Sequence, residues 1–185
     1  MPDLHFKVND EIGQAELLNV LSKTFKLKQD IVIVCVGTDR SAGDSLGPLV
    51  GTLIKELTPN ACVYGTLDNP VHATNLAEKI QLIQANHPSA FVLAVDACLG
   101  KLDSIGHITY KEEPLLPGIG VKKELPQVGN ACVTGIVNVG GFLEYFALQN
   151  TRLWTTYRLA KVIAGVISQA LIAKLTWQSI AVAQN

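Results

Sequence analysis

The stretch IVIVCVG, residues 31–37, decides the fold of this chain of 185 residues. It is a short apolar run rich in β-branched residues and it stops at a glycine, which is typical of a strand buried on both faces of a parallel sheet. After a loop over 38–43, residues 46–57 show helical periodicity, with Pro48 near the helix start, where a missing N–H costs nothing. The stretch therefore predicts a strand, loop and helix at the centre of an α/β domain.

The same alternation continues on both sides of this unit. Strand-like runs occupy 61–66, 90–95, 107–111 and 131–138, and helical patterns occupy 9–26, 70–84, 142–149 and 152–175. The connections are long enough for crossovers, which favours a three-layer α/β/α fold with a mostly parallel, twisted sheet. We predict a single domain over 1–185, with an N-terminal helix in 1–28, Asp68 or Asn69 capping the third helix, and a loose tail at 178–185.

Composition and charge exclude several classes of partner. The chain is 48% hydrophobic with a formal net charge of −1, and its longest basic run is the pair Lys122-Lys123, unlike the basic surface of a nucleic-acid binder. The first residues carry acids rather than a signal peptide, and no uninterrupted apolar stretch reaches about 18 residues. We expect a cytoplasmic protein without nucleic-acid or membrane partners.

Two aspartates follow predicted buried strands. Asp44 comes after the first strand through a short loop, and Asp96 directly follows the strand at 90–95. In open α/β sheets ligands bind beyond the carboxyl ends of the strands, where the strand order reverses. The predicted strands at 31–36, 61–66 and 90–95 are the first, second and third. If they lie in the order second, first, third in the sheet, both carboxylates reach one crevice and can share a proton, as in aspartic proteases.

Other interpretations of these residues stay open. Asp44 precedes a helix and could be only its N-cap, and the same two carboxylates could hold a hard divalent metal ion. Asp39 and Arg40 could form a surface pair, or Arg40 could pair with a catalytic aspartate. Among the histidines, His72 alone stands near the end of the second strand and is a weaker candidate ligand.

The remaining candidate residues are glycines and cysteines. Residues 117–121, PGIGV, do not follow the first strand, so we interpret them as a mobile lip rather than a dinucleotide loop. The four cysteines stand singly without a CxxC pair, and we interpret them as reduced core residues.

The motifs also carry a family resemblance. Residues 37–48, GTDRSAGDSLGP, resemble the loop of the spore germination protease, which has the form G-x-x-x-x-x-P-D-x-L-G-P. Val95-Asp96-Ala97 resembles the second acidic motif of that family, and residues 118–121 resemble its later glycine-rich loop. The whole chain is similar to small sporulation-associated proteins of spore-forming bacteria. It is more widely similar to hydrogenase maturation endopeptidases, which share the fold and bind a metal through two acids and a histidine.

This resemblance implies an endopeptidase of sporulating cells, with Asp44 and Asp96 as catalytic acids and a protein or peptide as substrate. Substrate-binding residues are then expected in the two loops, at Thr38, Asp39, Arg40, Gly118 and Gly120. Gly43 stands where the germination protease has proline, and the glycine-rich loop lacks a histidine, so we predict no cofactor and no metal triad.

Two alternative functions stay open, and the sequence also carries expectations about assembly and location. A catalytically idle peptide- or partner-binding module and a metal-assisted endopeptidase are the alternatives. The apolar faces of the first and last helices favour a homodimer, and the resemblance places the protein in the forespore or mother cell.

Overall fold

The computed structural model describes residues 3–28, 30–118, 125–141 and 143–183, with side chains described as far as residue 179. The strands of this part of the chain are β1 Leu4–Lys7, β2 Ile31–Cys35, β3 Cys62–Tyr64, β4 Phe91–Gly100, β5 His107–Lys111 and β6 Ala131–Val139. Its helices are α1 Glu11–Leu27, α2 Leu46–Leu57, α3 Leu76–Asn86, α4 Glu144–Gln149 and α5 Leu153–Ala183. Strands and helices alternate through most of the chain.

The strands form one mixed sheet in the order β1-β5-β6-β4-β2-β3. The four strands from β6 to β3 are parallel, whereas β5 is antiparallel to both β6 and β1. The predicted order of the first three strands is confirmed, because β2 lies between β3 and β4. The strand order therefore reverses between β2 and β4, and the crevice beyond their carboxyl ends is the expected ligand position.

Helices cover both faces of the sheet, as the sequence predicts. Residues of α1, α2 and α5 pack on one face in a cluster that includes Leu21, Leu46 and Ile163. The second face packs under α3 in a smaller cluster that includes Val34 and Leu76. Because β2 is buried on both sides, all five of its residues are apolar and none alternates with a polar one.

A close backbone approach fixes α2 against the end of β2. A Cβ atom on Gly47 would lie 2.0 Å from the carbonyl oxygen of Val36. Only glycine therefore fits in the first turn of α2 at this distance. The contact holds the helix start, and the loop before it, against the carboxyl end of β2.

Several predicted boundaries differ from the structure. Residues Leu4–Lys7, inside the expected N-terminal helix segment, form edge strand β1, because they pair with β5 along their whole length. The third helix begins at Leu76 with Asn75 as N-cap, so the predicted caps Asp68 and Asn69 are wrong. The expected loose tail continues α5 as far as Ala183.

Helix α5 is unusually long and apolar. Its segment Leu153–Ser179 is long and apolar enough, by length and composition, to cross a membrane, with a mean hydropathy of 1.5 in the most apolar window. Half of that window is buried inside the protein. Leu159, Ile163 and Ile167 are fully buried against the sheet and against α1 and α2, as in the core helix of a three-layer fold.

Candidate active site

The loop between β2 and α2 presents Asp44 at the carboxyl end of β2. The N–H of Thr38 donates to the carbonyl oxygen of Asp44 over 3.0 Å, which closes the loop on itself. Gly37 has φ +141°, and a Cβ atom there would lie 2.1 Å from the same carbonyl oxygen. Gly37, which follows β2, is thus required by the backbone of the loop that carries the Asp44 carboxylate.

The structure excludes the helix-cap interpretation of Asp44. The N-cap of α2 is Ser45, and its hydroxyl donates to the carbonyl oxygen of Ala42 over 2.8 Å. Asp44 precedes the cap, and its side chain is only partly buried. The carboxylate is therefore available for a role in the crevice.

Helix α4 forms a wall behind this loop. The N–H of Gly43 donates to the carbonyl oxygen of Leu148 over 2.9 Å. A Cβ atom on Gly43 would lie 2.8 Å from both that oxygen and the hydroxyl of Thr151, so a larger residue would push the loop off the helix. From β6, Asn138 donates to the carbonyl oxygen of Ala147 over 2.8 Å and ties α4 to the sheet. The glycine before Asp44 is therefore a packing requirement of this chain.

Asp96 lies inside β4 rather than at its end. The pairing of β4 with β2 stops at the Cys35–Val95 pair, but the pairing with β6 continues from Thr134 to Val139. Asp96 is thus the first β4 residue beyond the end of β2. Its side chain is 8% exposed, and one carboxyl oxygen accepts the N–H of Ala97 over 2.7 Å.

The two carboxyl groups interact electrostatically. Burial raises the pKa of Asp96 well above its ordinary value, and the negative charge of Asp44 raises it further. Burial also raises the pKa of Asp44, whereas the charge of His72 opposes that rise. The acid in the loop after β2 and the acid in β4 therefore interact, and Asp44 is the one that ionises first.

His72 joins the site from the segment between β3 and α3. Val71 forms a bridge with Val36, and its carbonyl oxygen accepts the N–H of Gly37 over 2.8 Å. The imidazole Nδ1 lies 2.9 Å from the hydroxyl of Thr74. Sequence reasoning marked His72 only as a weaker candidate, since a loop bridge of this kind leaves no periodic signal.

The arrangement does not fit the metal triad of the hydrogenase endopeptidases. Among the residues that the structure describes, no three His, Cys, Asp or Glu side chains gather closely enough to hold a metal ion. His72 influences Asp44, but it does not join both carboxylates around one point.

A polar row that sequence reasoning missed extends from Asp96 across the sheet. Asp96 is in register with Thr134 of β6, which is in register with Thr109 of β5. The two threonine hydroxyls lie 2.6 Å apart, and the thiol of Cys98 donates to the hydroxyl of Thr134 over 3.5 Å. Asp96 and Thr134, which are polar residues in mostly apolar strands, were the sequence signal for this row.

The structure describes Thr38, Asp39 and Arg40, the predicted substrate-binding residues of the loop after β2. Thr38 borders Asp44 through its backbone, and its hydroxyl accepts the N–H of Arg40 over 3.4 Å. Asp39 and Arg40 are exposed, and in the described part of the chain Arg40 forms no ion pair with Asp39, Asp44 or Asp96. These three residues stay predictions.

The later glycine-rich loop is described only in part. Gly118 has φ +84° and is partly buried, whereas Gly120 lies outside the described residues. The structure therefore places neither glycine relative to the two aspartates. Both stay predictions as substrate-binding residues.

Comparisons with known proteins identify the family of this chain. The chain is 48% identical over 162 residues to "Uncharacterized protein YyaC" of Bacillus subtilis (strain 168), an alignment that covers 86% of this chain and 79% of that protein. A [NiFe] hydrogenase maturation protease, HycI from Thermococcus kodakarensis KOD1, matches with a TM-score of 0.46 and 21% identity over 80% of this chain and 98% of its own. Residues 5–166 match the model of the family described as "Protein of unknown function (DUF1256)", and the chain belongs to this family.

Proposed function

We propose that this protein is an aspartic endopeptidase in which Asp44 and Asp96 activate a water molecule for attack on a peptide carbonyl. The observation that carries the proposal is that two acids meet where the strand order reverses, with the pKa of Asp96 raised by its burial and then by the charge of Asp44. Two carboxyl groups that share one proton supply a base and an acid together.

The environments of the two acids assign their roles. Asp44 is partly exposed and lies within the field of His72, so it is the ionised member and the general base. Asp96 is almost fully buried beside an ionised neighbour, so it keeps its proton and is the general acid. Its bond from the Ala97 N–H occupies one carboxyl oxygen and leaves the protonated oxygen for the substrate.

The chemical step follows from these roles. Asp44 accepts a proton from water while the water oxygen attacks the peptide carbonyl carbon, and Asp96 donates a hydrogen bond to the carbonyl oxygen. The proton on Asp44 then passes to the amide nitrogen, the C–N bond breaks, and a new carboxyl and a new amine form. General acid and base catalysis of this kind contributes about 10²–10⁴-fold to a rate.

The setting of the reaction is part of the same proposal. The substrate is a protein or peptide bound between the loop at Thr38, Asp39 and Arg40 and the later loop at Gly118 and Gly120. The protein acts in the cytoplasm of the forespore or mother cell of a spore-forming bacterium. The apolar faces of α1 and α5, which include exposed Ile12 and Ile172, are the proposed homodimer surface.

A peptide-library assay tests the activity. Purified protein, Asp44→Asn and Asp96→Asn are each incubated with peptides from a digested bacterial proteome, and new termini are identified by mass spectrometry. We expect cleavage by the wild-type protein and a loss of at least about 10²-fold in each variant. Circular dichroism checks that both variants fold. Undiminished cleavage by either variant, or peptide binding without cleavage by the wild-type protein, contradicts the proposal, and the second result favours the idle binding module.

A further inference from the structure

A second group of reactive side chains lies at the opposite end of the sheet from the aspartate pair. The Sγ atom of Cys62 in β3 lies 3.4 Å from Nε2 of His87, the residue that follows α3. On the other side of the imidazole, Nδ1 lies 3.6 Å from a carboxylate oxygen of Asp30, which directly precedes β2. The three groups are thus placed as in a catalytic triad, with the thiol as nucleophile, the imidazole as its base and the carboxylate as the partner of the base.

The positions of the three groups argue against a metal site. Cys62 and Asp30 contact different nitrogens, so the imidazole ring lies between them and they do not converge on one ion. No group of three ligand side chains is present in the described ranges, which agrees with this geometry. The ring of Tyr64 meets the His87 ring edge-on at 6.2 Å and restricts its plane. The arrangement suits proton transfer along a line.

The Cys62 thiol needs His87 as a base. Burial, followed by the charge of Asp30, raises the pKa of Cys62, so the sulfur keeps its proton at neutral pH. A thiol is nucleophilic as the thiolate. His87 is positioned to accept the proton, and the Asp30 carboxylate, 64% exposed, stabilises the imidazolium that forms.

A cavity lies beside the histidine. Its volume is about 340 Å³, and His87 lines it together with apolar side chains from three elements and the 127–130 segment. Val34, Ile83 and Val92 are among its apolar lining residues, and Gln84 and Gln127 bring amide groups to it. The described lining contains no Asp, Glu, Lys or Arg, so it suits a small uncharged molecule with hydrogen-bonding ends.

We infer that Cys62 is a base-assisted thiol, activated by His87 and Asp30, that forms a mixed disulfide with a small, uncharged disulfide of the kind that the cavity beside His87 suits. His87 takes the thiol proton as the sulfur of Cys62 attacks one sulfur of the disulfide. The new S–S bond forms, the old one breaks, and the departing sulfur takes the proton from His87. Cys62 is oxidised to the mixed disulfide while half of the small disulfide is reduced to a thiol. This inference is independent of the proposed peptidase activity.

Thiol mapping by mass spectrometry tests the inference. The full chain is exposed to 2-hydroxyethyl disulfide at neutral pH, and the modification rate of each cysteine is followed. Cys98 is the internal reference, because it is also partly buried but donates to the hydroxyl of Thr134 instead of facing a histidine. We expect Cys62 to react at least about tenfold faster than Cys98, as general-base assistance predicts.

Variants separate assistance by His87 from simple accessibility. His87→Gln should abolish the advantage of Cys62, Asp30→Asn should reduce it severalfold, and His5→Gln, at the exposed edge strand, should leave it unchanged. Equal rates for Cys62 and Cys98 in the wild-type protein would overturn the inference. An advantage that survives in His87→Gln would also overturn it.

Discussion

Asp44, in the loop after β2, lies close enough to the buried Asp96 of β4 for the two carboxyl groups to interact electrostatically. Burial raises the pKa of Asp96 well above its ordinary value, and the negative charge of Asp44 raises it further. This relationship exists because β2 and β4 are neighbours at the point where the strand order reverses. The fold therefore brings together two acids that are distant in the sequence and makes them chemically unequal.

Replacing Asp96 should stabilise the protein in a pH-dependent way. The folded protein raises the pKa of Asp96 from 3.8, so above pH 3.8 the folded state binds more protons than the unfolded state and loses stability as pH rises through the raised pKa. Asp96→Asn removes this cost. We expect its Tm to exceed that of the wild-type protein at pH 7, with the difference shrinking towards pH 4.

A second aspartate provides a control of opposite sign. Asp68 is exposed and its pKa is lowered, chiefly by the hydroxyl of Thr66, so Asp68→Asn should slightly lower the Tm at pH 7. If Asp96→Asn instead has a lower Tm than the wild-type protein at pH 7, the buried Asp96 carboxyl does not destabilise the fold and the prediction is wrong.

His72 should set the acid limb of the activity profile. Its charge lowers the pKa of Asp44, so His72→Gln should raise that pKa and move the acid limb of kcat against pH to higher pH. The alkaline limb, which reflects loss of the proton on Asp96, should move little. His5→Gln is the matched control at the sheet edge, and an unchanged acid limb in His72→Gln would contradict the role assigned to Asp44.

Gly43→Ala should damage both stability and activity. The added methyl group would lie 2.8 Å from the Leu148 carbonyl oxygen, which costs about 1–3 kcal/mol in a well-packed site. The resulting shift of Asp44 should lower kcat by about 10²-fold, the typical cost of a misplaced catalytic group. Chemical denaturation and kinetics measure the two effects.

Gly165 supplies the comparison for this substitution. It lies within α5, and an added Cβ atom there meets no atom within 4 Å. Gly165→Ala should therefore stabilise the protein by about 0.5–1 kcal/mol and leave kcat unchanged. Equal effects of the two substitutions would mean that Gly43 does not position the loop.

Local patterns were sufficient to predict the centre of this fold. The five residues of β2 are apolar because both faces are covered, and α2 shows helical periodicity because one side packs on the sheet and on α5. The strand order around β2 followed from the usual rules for parallel sheets. These features reflect burial, which a single sequence records directly.

Pairings between distant segments were not predictable in the same way. Strand β4 continues past Asp96 because β6 pairs with it as far as Gly100, although the local sequence after Val95 no longer looks like a buried strand. Residues Leu4–Lys7 are too short to show a period, and their strand depends on β5. His72 reaches the site through the bridge between Val71 and Val36.

The most direct test of the central claim is an NMR titration of the two carboxyl groups in protein labelled with ¹³C-aspartate. We expect the carboxyl of Asp96 to be protonated at pH 7 while that of Asp44 is ionised, and we expect Asp44→Asn to lower the pKa of Asp96. An Asp96 carboxyl that is ionised at pH 7, or whose titration is unchanged by Asp44→Asn, would contradict the proton-sharing pair.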